Sequence, residues 1–164
     1  FELMAQKSML NSEQERLQYI QRLIHQSNSY KAANKLKQYI KTGLVQDSTD
    51  NILLLADAWE RSGENKQAIK LLENLPLEKT LLHLVRISAS EQDWQSLANL
   101  LEPQHQNPTT TTNESLFLQL GYALNKLGEF ERAIQVFSKL VNAKDVSKAT
   151  KKSAKEWLVY LESQ

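Results

Sequence analysis

The chain of 164 residues lacks cysteine, so it holds no disulfide and no zinc or iron–sulfur site built on thiolates. Glycine and proline, which interrupt helices, number only 4 and 3. Apolar runs such as residues 52–56 are far shorter than the roughly 18–20 residues that span a bilayer. A basic excess is also missing, because 20 Lys and Arg face 19 Asp and Glu, which argues against nucleic acid as a partner.

The residues that are abundant favour helices. Leu, Lys, Gln, Ala and Glu dominate, and alternating runs of β-branched residues are absent. The composition therefore predicts an all-α fold. The chain begins with Phe1 and shows no targeting signal, so we interpret it as a fragment of a longer protein. Its localisation is open, since cytoplasm and bacterial periplasm or envelope fit equally well.

Two segments share one pattern. The first reads NILLLADAWERSGENKQAIKLLENLP from Asn51 to Pro76, and the second reads ESLFLQLGYALNKLGEFERAIQVFSKL from Glu114 to Leu140. Each has three turns of helical apolar spacing, a glycine followed by Glu, and a second helical stretch that opens toward an alanine. The aligned positions are Ile52, Leu55, Ala56, Trp59, Gly63, Ala68 and Leu72 against Phe117, Leu120, Gly121, Leu124, Gly128, Ala133 and Phe137.

This spacing resembles the tetratricopeptide repeat, a helix–turn–helix of about 34 residues with the pattern W-x2-L-G-x2-Y…A-x3-F. The resemblance implies an α-solenoid of antiparallel helix pairs in a right-handed superhelix. Two weaker copies have turns near Asn28 and at residues 91–93, so the four turns are separated by 35, 29 and 36 residues. We expect a single domain over residues 1–164, with repeats at about 12–45, 48–76, 77–103 and 113–144 and a capping helix over 145–163.

Several residues mark where these helices begin and end. Ser12 with Glu15 predicts a capping box, and Gly43 predicts a helix end. Pro76 and Pro103 are expected to follow second helices, and residues 103–113 are expected to form a loop. Asp145 is the predicted N-cap of the last helix, and residues 1–10 are predicted to be helical.

No catalytic or metal-binding motif is present. The string His-Glu-x-x-His, the Gly-x-Ser-x-Gly elbow and phosphate-binding glycine loops are all missing. His25, His83 and His105 have no second ligand at metal-binding helical spacing, and Asp57 and Glu60 are interpreted as residues of a solvated helix face. We therefore predict no enzyme activity, no cofactor and no metal site.

The resemblance also implies where a partner binds. In the tetratricopeptide family the first helices of successive repeats line a concave groove that holds an extended peptide or a helix. Transferred to this chain, these positions predict a partner-binding groove with Arg22, Asp57, Glu60, Arg86, Tyr122 and Asn125. The family's carboxylate clamp needs Asn where this chain has Arg22, Asp57, Arg86 and Tyr122, so chaperone tails are not expected.

The last helix carries four lysines, Lys148, Lys151, Lys152 and Lys155, at the spacing of one helix face. A solvated capping face explains them, and a docking face for an acidic partner, anionic lipid or nucleic acid is the alternative.

Two functions remain open from the sequence. The first is a non-catalytic scaffold that binds a protein or peptide. The alternative is a structural spacer or self-assembly segment of a larger cell-envelope or secretion-associated protein. A monomer or weak homo-oligomer fits both.

Overall fold

The structure, a computed structural model, describes residues 12–106 and 114–163. This part of the chain is all-helical and contains no strand, which confirms the predicted fold class. The segment 1–10, predicted to be helical, lies outside the described residues. The helices are α1 (Glu13–His25), α2 (Ser29–Lys41), α3 (Thr49–Arg61), α4 (Asn65–Leu72), α5 (Leu77–Ser90), α6 (Trp94–Gln106), α7 (Glu114–Lys126), α8 (Phe130–Asn142) and α9 (Lys148–Glu162).

The chain divides into two compact halves, one up to His83 and one from Leu84, so the division falls within α5. In the first half α1 packs on α2, α2 on α3, and α3 on α4. In the second half α6 packs on α7, α7 on α8, and α9 on both α8 and α7. Consecutive helices therefore pack against one another in each half, as expected for a tetratricopeptide-like solenoid.

The same turn joins the two helices of every pair. The turn contains one residue with a positive φ, which is Ser27, Gly63, Gln92 or Gly128, with angles of 60°, 80°, 57° and 77°. The following residue donates its backbone N–H to the carbonyl five residues earlier at 2.9 Å, in the pairs Asn28–Leu23, Glu64–Trp59, Asp93–Ser88 and Glu129–Leu124. This is the Schellman arrangement that ends helices at a left-handed residue. The predicted turn positions are thus confirmed, including the two that lack glycine.

A close approach between paired helices lies in the second half, between α7 and α8. A Cβ built on Gly121 would lie 2.5 Å from two ring atoms of Phe137, whose side chain is fully buried. In the first half the equivalent positions hold Ala56 and Leu72, which are also buried. The larger side chain, Phe137, thus pairs with Gly121, and the smaller one, Leu72, pairs with Ala56. The combined side-chain volume is therefore similar in the two helix pairs.

The predicted capping box is present. The Ser12 hydroxyl accepts from the Glu15 N–H at 3.2 Å, and the Glu15 carboxylate accepts from the Ser12 N–H at 2.9 Å. Gly43 follows α2 with a φ of 71°, as predicted for a helix end. Pro76 follows α4, also as predicted.

The prediction that a helix ends before Pro103 and that a loop begins there is wrong, because α6 continues through Pro103 to Gln106. Proline inside a helix removes one backbone hydrogen bond and crowds the carbonyl four residues earlier, at a cost of about 3 kcal/mol that other contacts must offset. Leu101 is fully buried, and the His105 ring lies edge-on to Phe117 at a centroid distance of 5.0 Å. These contacts, which the sequence does not reveal, favour continuation of the helix. The rest of the predicted loop, residues 107–113, lies outside the described residues.

The predicted N-cap Asp145 is also wrong. The helix begins at Lys148, and its N-cap is Ser147, whose side chain accepts from the Thr150 N–H at 3.2 Å. The Ser147 N–H in turn donates to the carboxylate of Glu114, at the start of α7, at 2.7 Å. A contact from a distant helix therefore fixes where this helix starts.

We expect the free energy of unfolding to fall when glycine is lost from a left-handed turn position and to rise when glycine is introduced at one. Gly128→Ala should lower the free energy of unfolding by about 1–2 kcal/mol, because a side chain in this conformation is strained. No atom lies within 4 Å of the added Cβ, so the effect is conformational alone. Gln92→Gly should raise the free energy of unfolding modestly, because glycine relieves the strain but gains entropy in the unfolded chain. Urea unfolding at one temperature measures the free energies of both variants. Changes of the same sign would contradict the requirement for a left-handed residue in the turn.

We also expect Gly121→Ala to destabilise the second half by about 1–3 kcal/mol, since its methyl group would overlap the Phe137 ring. The double variant Gly121→Ala with Phe137→Leu reproduces the Ala56–Leu72 pair and should lose less stability than the two single variants added together. Thermal or urea unfolding of all four proteins forms a double-mutant cycle. An additive result would show that the glycine is not required by the ring.

Candidate functional site

The predicted groove residues lie on the first helices of the four pairs, which are α1, α3, α5 and α7. Arg22 in α1 and Arg86 in α5 are exposed. Asp57 and Glu60 in α3, and Tyr122 and Asn125 in α7, are half-buried. Arg22, Asp57 and Glu60 belong to the first half of the chain, and Arg86, Tyr122 and Asn125 to the second.

In the first half the structure brings a third polar side chain to Asp57 and Glu60. His83 of α5 places its Nδ1 atom 2.9 Å from Glu60 Oε2, and both side chains are mostly buried, with 17% and 15% of their surfaces exposed. One ligand atom from each of Asp57, Glu60 and His83 lies within 4.8 Å of the other two. Among the described residues this is the one cluster of three such groups that could hold a metal ion.

Arg61 holds one carboxylate of this cluster. Its Nε donates to Asp57 Oδ2 at 2.7 Å, one helical turn along α3. The Arg61 side chain is 59% exposed, so solvent screens its charge and the ion pair adds little to stability. Its effect on the site is to orient the Asp57 carboxylate.

Leucines flank these polar groups. Leu53 of α3 is half-buried, and Leu82 of α5 has 51% of its surface exposed. On α5 the exposed apolar side chain of Leu82 directly precedes the polar side chain of His83 in the sequence. The first-helix residues of this half thus combine apolar surface with both signs of charge.

In the second half Tyr122 belongs to an aromatic cluster. Its ring lies edge-on to Trp94 and Trp157, with centroid distances of 5.3 Å and 5.6 Å, and the Lys126 ammonium lies 5.3 Å from the ring centre. Trp157 also stacks on Phe137 at 5.8 Å. Tyr122 therefore contributes to packing between helices in addition to its predicted position in the groove.

The four lysines lie on α9. Lys148, Lys152 and Lys155 are exposed and Lys151 is half-buried. Lys152 lies 3.9 Å from Glu156, with both side chains largely exposed. Val159 and Tyr160 are exposed on the same helix, with 68% and 47% of their surfaces accessible.

The other two histidines lie apart from the cluster of Asp57, Glu60 and His83. His25 is exposed at the end of α1. His105 packs on Phe117, and desolvation, with a smaller contribution from Lys139, lowers the pKa of its imidazole.

His83 was not among the predicted site residues. A metal-binding motif on one helix places its ligands one turn apart, whereas the partner of His83 is 23 residues earlier, on another helix. The signal in the sequence is that Glu60 and Arg86, which is three residues from His83, are both predicted on the groove faces of successive first helices.

No described helix combines the length and the apolar character needed to cross a membrane.

Comparison with protein families matched residues 115–143 to the model of the tetratricopeptide repeat. Comparisons with curated proteins and with solved structures gave no significant match. The matched segment covers nearly all of α7 and α8, the pair joined at Gly128. Repeats of this family generally mediate binding to protein partners and are generally non-catalytic. Residues 115–143 thus match a tetratricopeptide repeat, and the all-helical fold of the described residues fits a divergent protein of this family.

Proposed function

We propose that the first helices of this protein bind an extended peptide or a helix of a protein partner. The observation that carries the proposal is the first-helix surface of the first half, where exposed Leu82 directly precedes His83 and His83 contacts Glu60. A leucine that exposes half of its surface is available for an apolar contact with a ligand. The adjacent polar groups would fix the ligand's orientation through hydrogen bonds.

The charges of the first half favour a ligand of mixed character. Arg22 presents a cation, and Asp57 and Glu60 present carboxylates, so the face is not selective for one sign of charge. Leu53 and Leu82 add apolar surface. An amphipathic helix, or a peptide that alternates apolar and polar residues, fits such a face better than a uniformly acidic tail.

The first-helix residues of the second half offer similar chemistry. Arg86 is exposed, and Leu118 and Asn125 are half-buried. Asn125 supplies both a donor and an acceptor, which suits the backbone of an extended peptide. The Tyr122 ring is held by Trp94 and Trp157, so Tyr122→Phe, which keeps the ring, is the suitable test of its hydroxyl.

We expect removal of polar groove side chains to weaken partner binding without loss of helicity. Peptides selected from a displayed library on the immobilised protein would be labelled, and their affinities measured by fluorescence anisotropy. Arg22→Ala should weaken peptides that bind the first half, and Asn125→Ala peptides that bind the second, by about tenfold or more, or about 1.4 kcal/mol, because each variant removes a polar contact to the ligand. Circular dichroism should show unchanged helicity.

Matched controls lie on second helices. Lys37→Ala in α2 removes an exposed cation, and Gln135→Ala in α8 removes an exposed amide. Both should bind the selected peptides as the parent does. Equal affinity of the parent and the groove variants, or equal weakening by the controls, would place the binding surface elsewhere.

A further inference from the structure

We propose that Asp57, Glu60 and His83 form a binding site for a divalent transition-metal ion of the zinc type. The three side chains supply two carboxylates and one imidazole, and one ligand atom from each lies within 4.8 Å of the others. Each of these ligand types is used by zinc, which binds His nitrogen and Asp or Glu oxygen at about 2.0–2.2 Å. The proposal is independent of peptide binding, although it shares residues with the proposed binding face.

One pair of donor atoms is already near the separation that one ion requires, and an Asp57 oxygen lies within 4.8 Å of both. Ligands of a tetrahedral ion with bonds of this length lie roughly 3.4 Å apart. His83 Nδ1 and Glu60 Oε2 are 2.9 Å apart, so they need to separate by a few tenths of an ångström to admit an ion in place of their shared proton. Side-chain rotation alone can supply such a change.

The backbone already positions the ligands. Asp57 and Glu60 are three residues apart on α3, a spacing that places both on one face of the helix. His83 comes from α5, the first helix of the following pair. An ion bound here would therefore link two successive first helices and stabilise their contact.

The surroundings suit a bound cation. Glu60 and His83 are mostly buried, which strengthens their electrostatic interaction with a cation. The Arg61 hydrogen bond to Asp57 Oδ2 orients that carboxylate, as outer-shell partners do in metal sites. The Glu60 carboxylate and the second oxygen of Asp57 supply negative charge for the ion.

The imidazole selects the class of metal. Calcium and magnesium prefer oxygen ligands alone, whereas imidazole suits zinc and its first-row neighbours. Three protein ligands leave at least one coordination position for water, which is the arrangement of an open zinc site. We therefore expect zinc and cobalt(II) to bind, and magnesium not to compete.

The test is a calorimetric titration of the full chain, without a polyhistidine tag, with zinc chloride, supported by the absorption spectrum of the cobalt(II) form. The expected result is saturable binding of one ion that a large excess of magnesium does not displace. Glu60→Gln is the decisive variant, because the amide preserves size and a hydrogen-bonding partner for His83 but removes the charge that a metal ligand needs. It should weaken zinc binding at least tenfold, and His83→Gln should do the same.

The matched control is His25→Gln, which removes an exposed histidine from α1 and should leave zinc affinity unchanged. Should His83→Gln reduce helicity, Glu60→Gln and Asp57→Asn carry the test. The proposal is overturned if the parent shows no saturable zinc binding, if magnesium displaces the ion, or if Glu60→Gln binds zinc as the parent does. A loss of affinity in His25→Gln equal to that in His83→Gln would also overturn it.

Discussion

The helical pairs of this protein depend on one backbone hydrogen bond that closes each turn. In all four pairs the residue after a left-handed residue donates its N–H to a carbonyl five residues earlier at 2.9 Å. This bond satisfies a carbonyl that the end of a helix would otherwise leave without a partner, and it reverses the chain within two residues. The second helix therefore starts at a fixed position, and its apolar stripe lies against that of the first. Ser27 and Gln92 adopt the same geometry as Gly63 and Gly128, so the pairing does not need glycine, although glycine adopts it with less strain.

A second constraint connects one pair to the next within each half. In the first half the Glu13 carboxylate, at the start of α1, accepts from the Gln46 N–H at 2.9 Å and from the Asn51 amide at 3.2 Å. In the second half the Glu114 carboxylate, at the start of α7, accepts from the Ser147 N–H at 2.7 Å. Hydrogen bonds from Ser147 lower the pKa of Glu114, since they favour its charged form. In each half, a glutamate at the start of a first helix thus accepts a backbone hydrogen bond from the segment that leads into a later helix. That later helix is α3 in the first half and α9 in the second.

The functional residues follow from this arrangement. Because the turns fix which face of each first helix is buried, Leu82 remains exposed and Glu60 meets His83. Peptide binding and metal binding would use overlapping parts of this surface, but they depend on different chemistry. Apolar contact and charge would hold a peptide, whereas a metal requires the three ligand atoms of Asp57, Glu60 and His83 close together. Arg22 and Asn125 report on peptide binding alone, and a metal titration without peptide reports on metal binding alone, so the two can be separated experimentally.

The sequence by itself determined the helices, their pairing and the turns, because apolar spacing and the left-handed preference of glycine act over only a few residues. Such local features include the left-handed glycines Gly63 and Gly128 and the capping box of Ser12. The family resemblance around Gly121 is also a local pattern. The continuation of α6 through Pro103 and the start of α9 at Ser147 were decided by contacts with other helices. The contact between His83 and Glu60 likewise depends on how two different helices pack. No local pattern encodes such contacts, since their partners are many residues away along the chain and become neighbours only after the helices have packed.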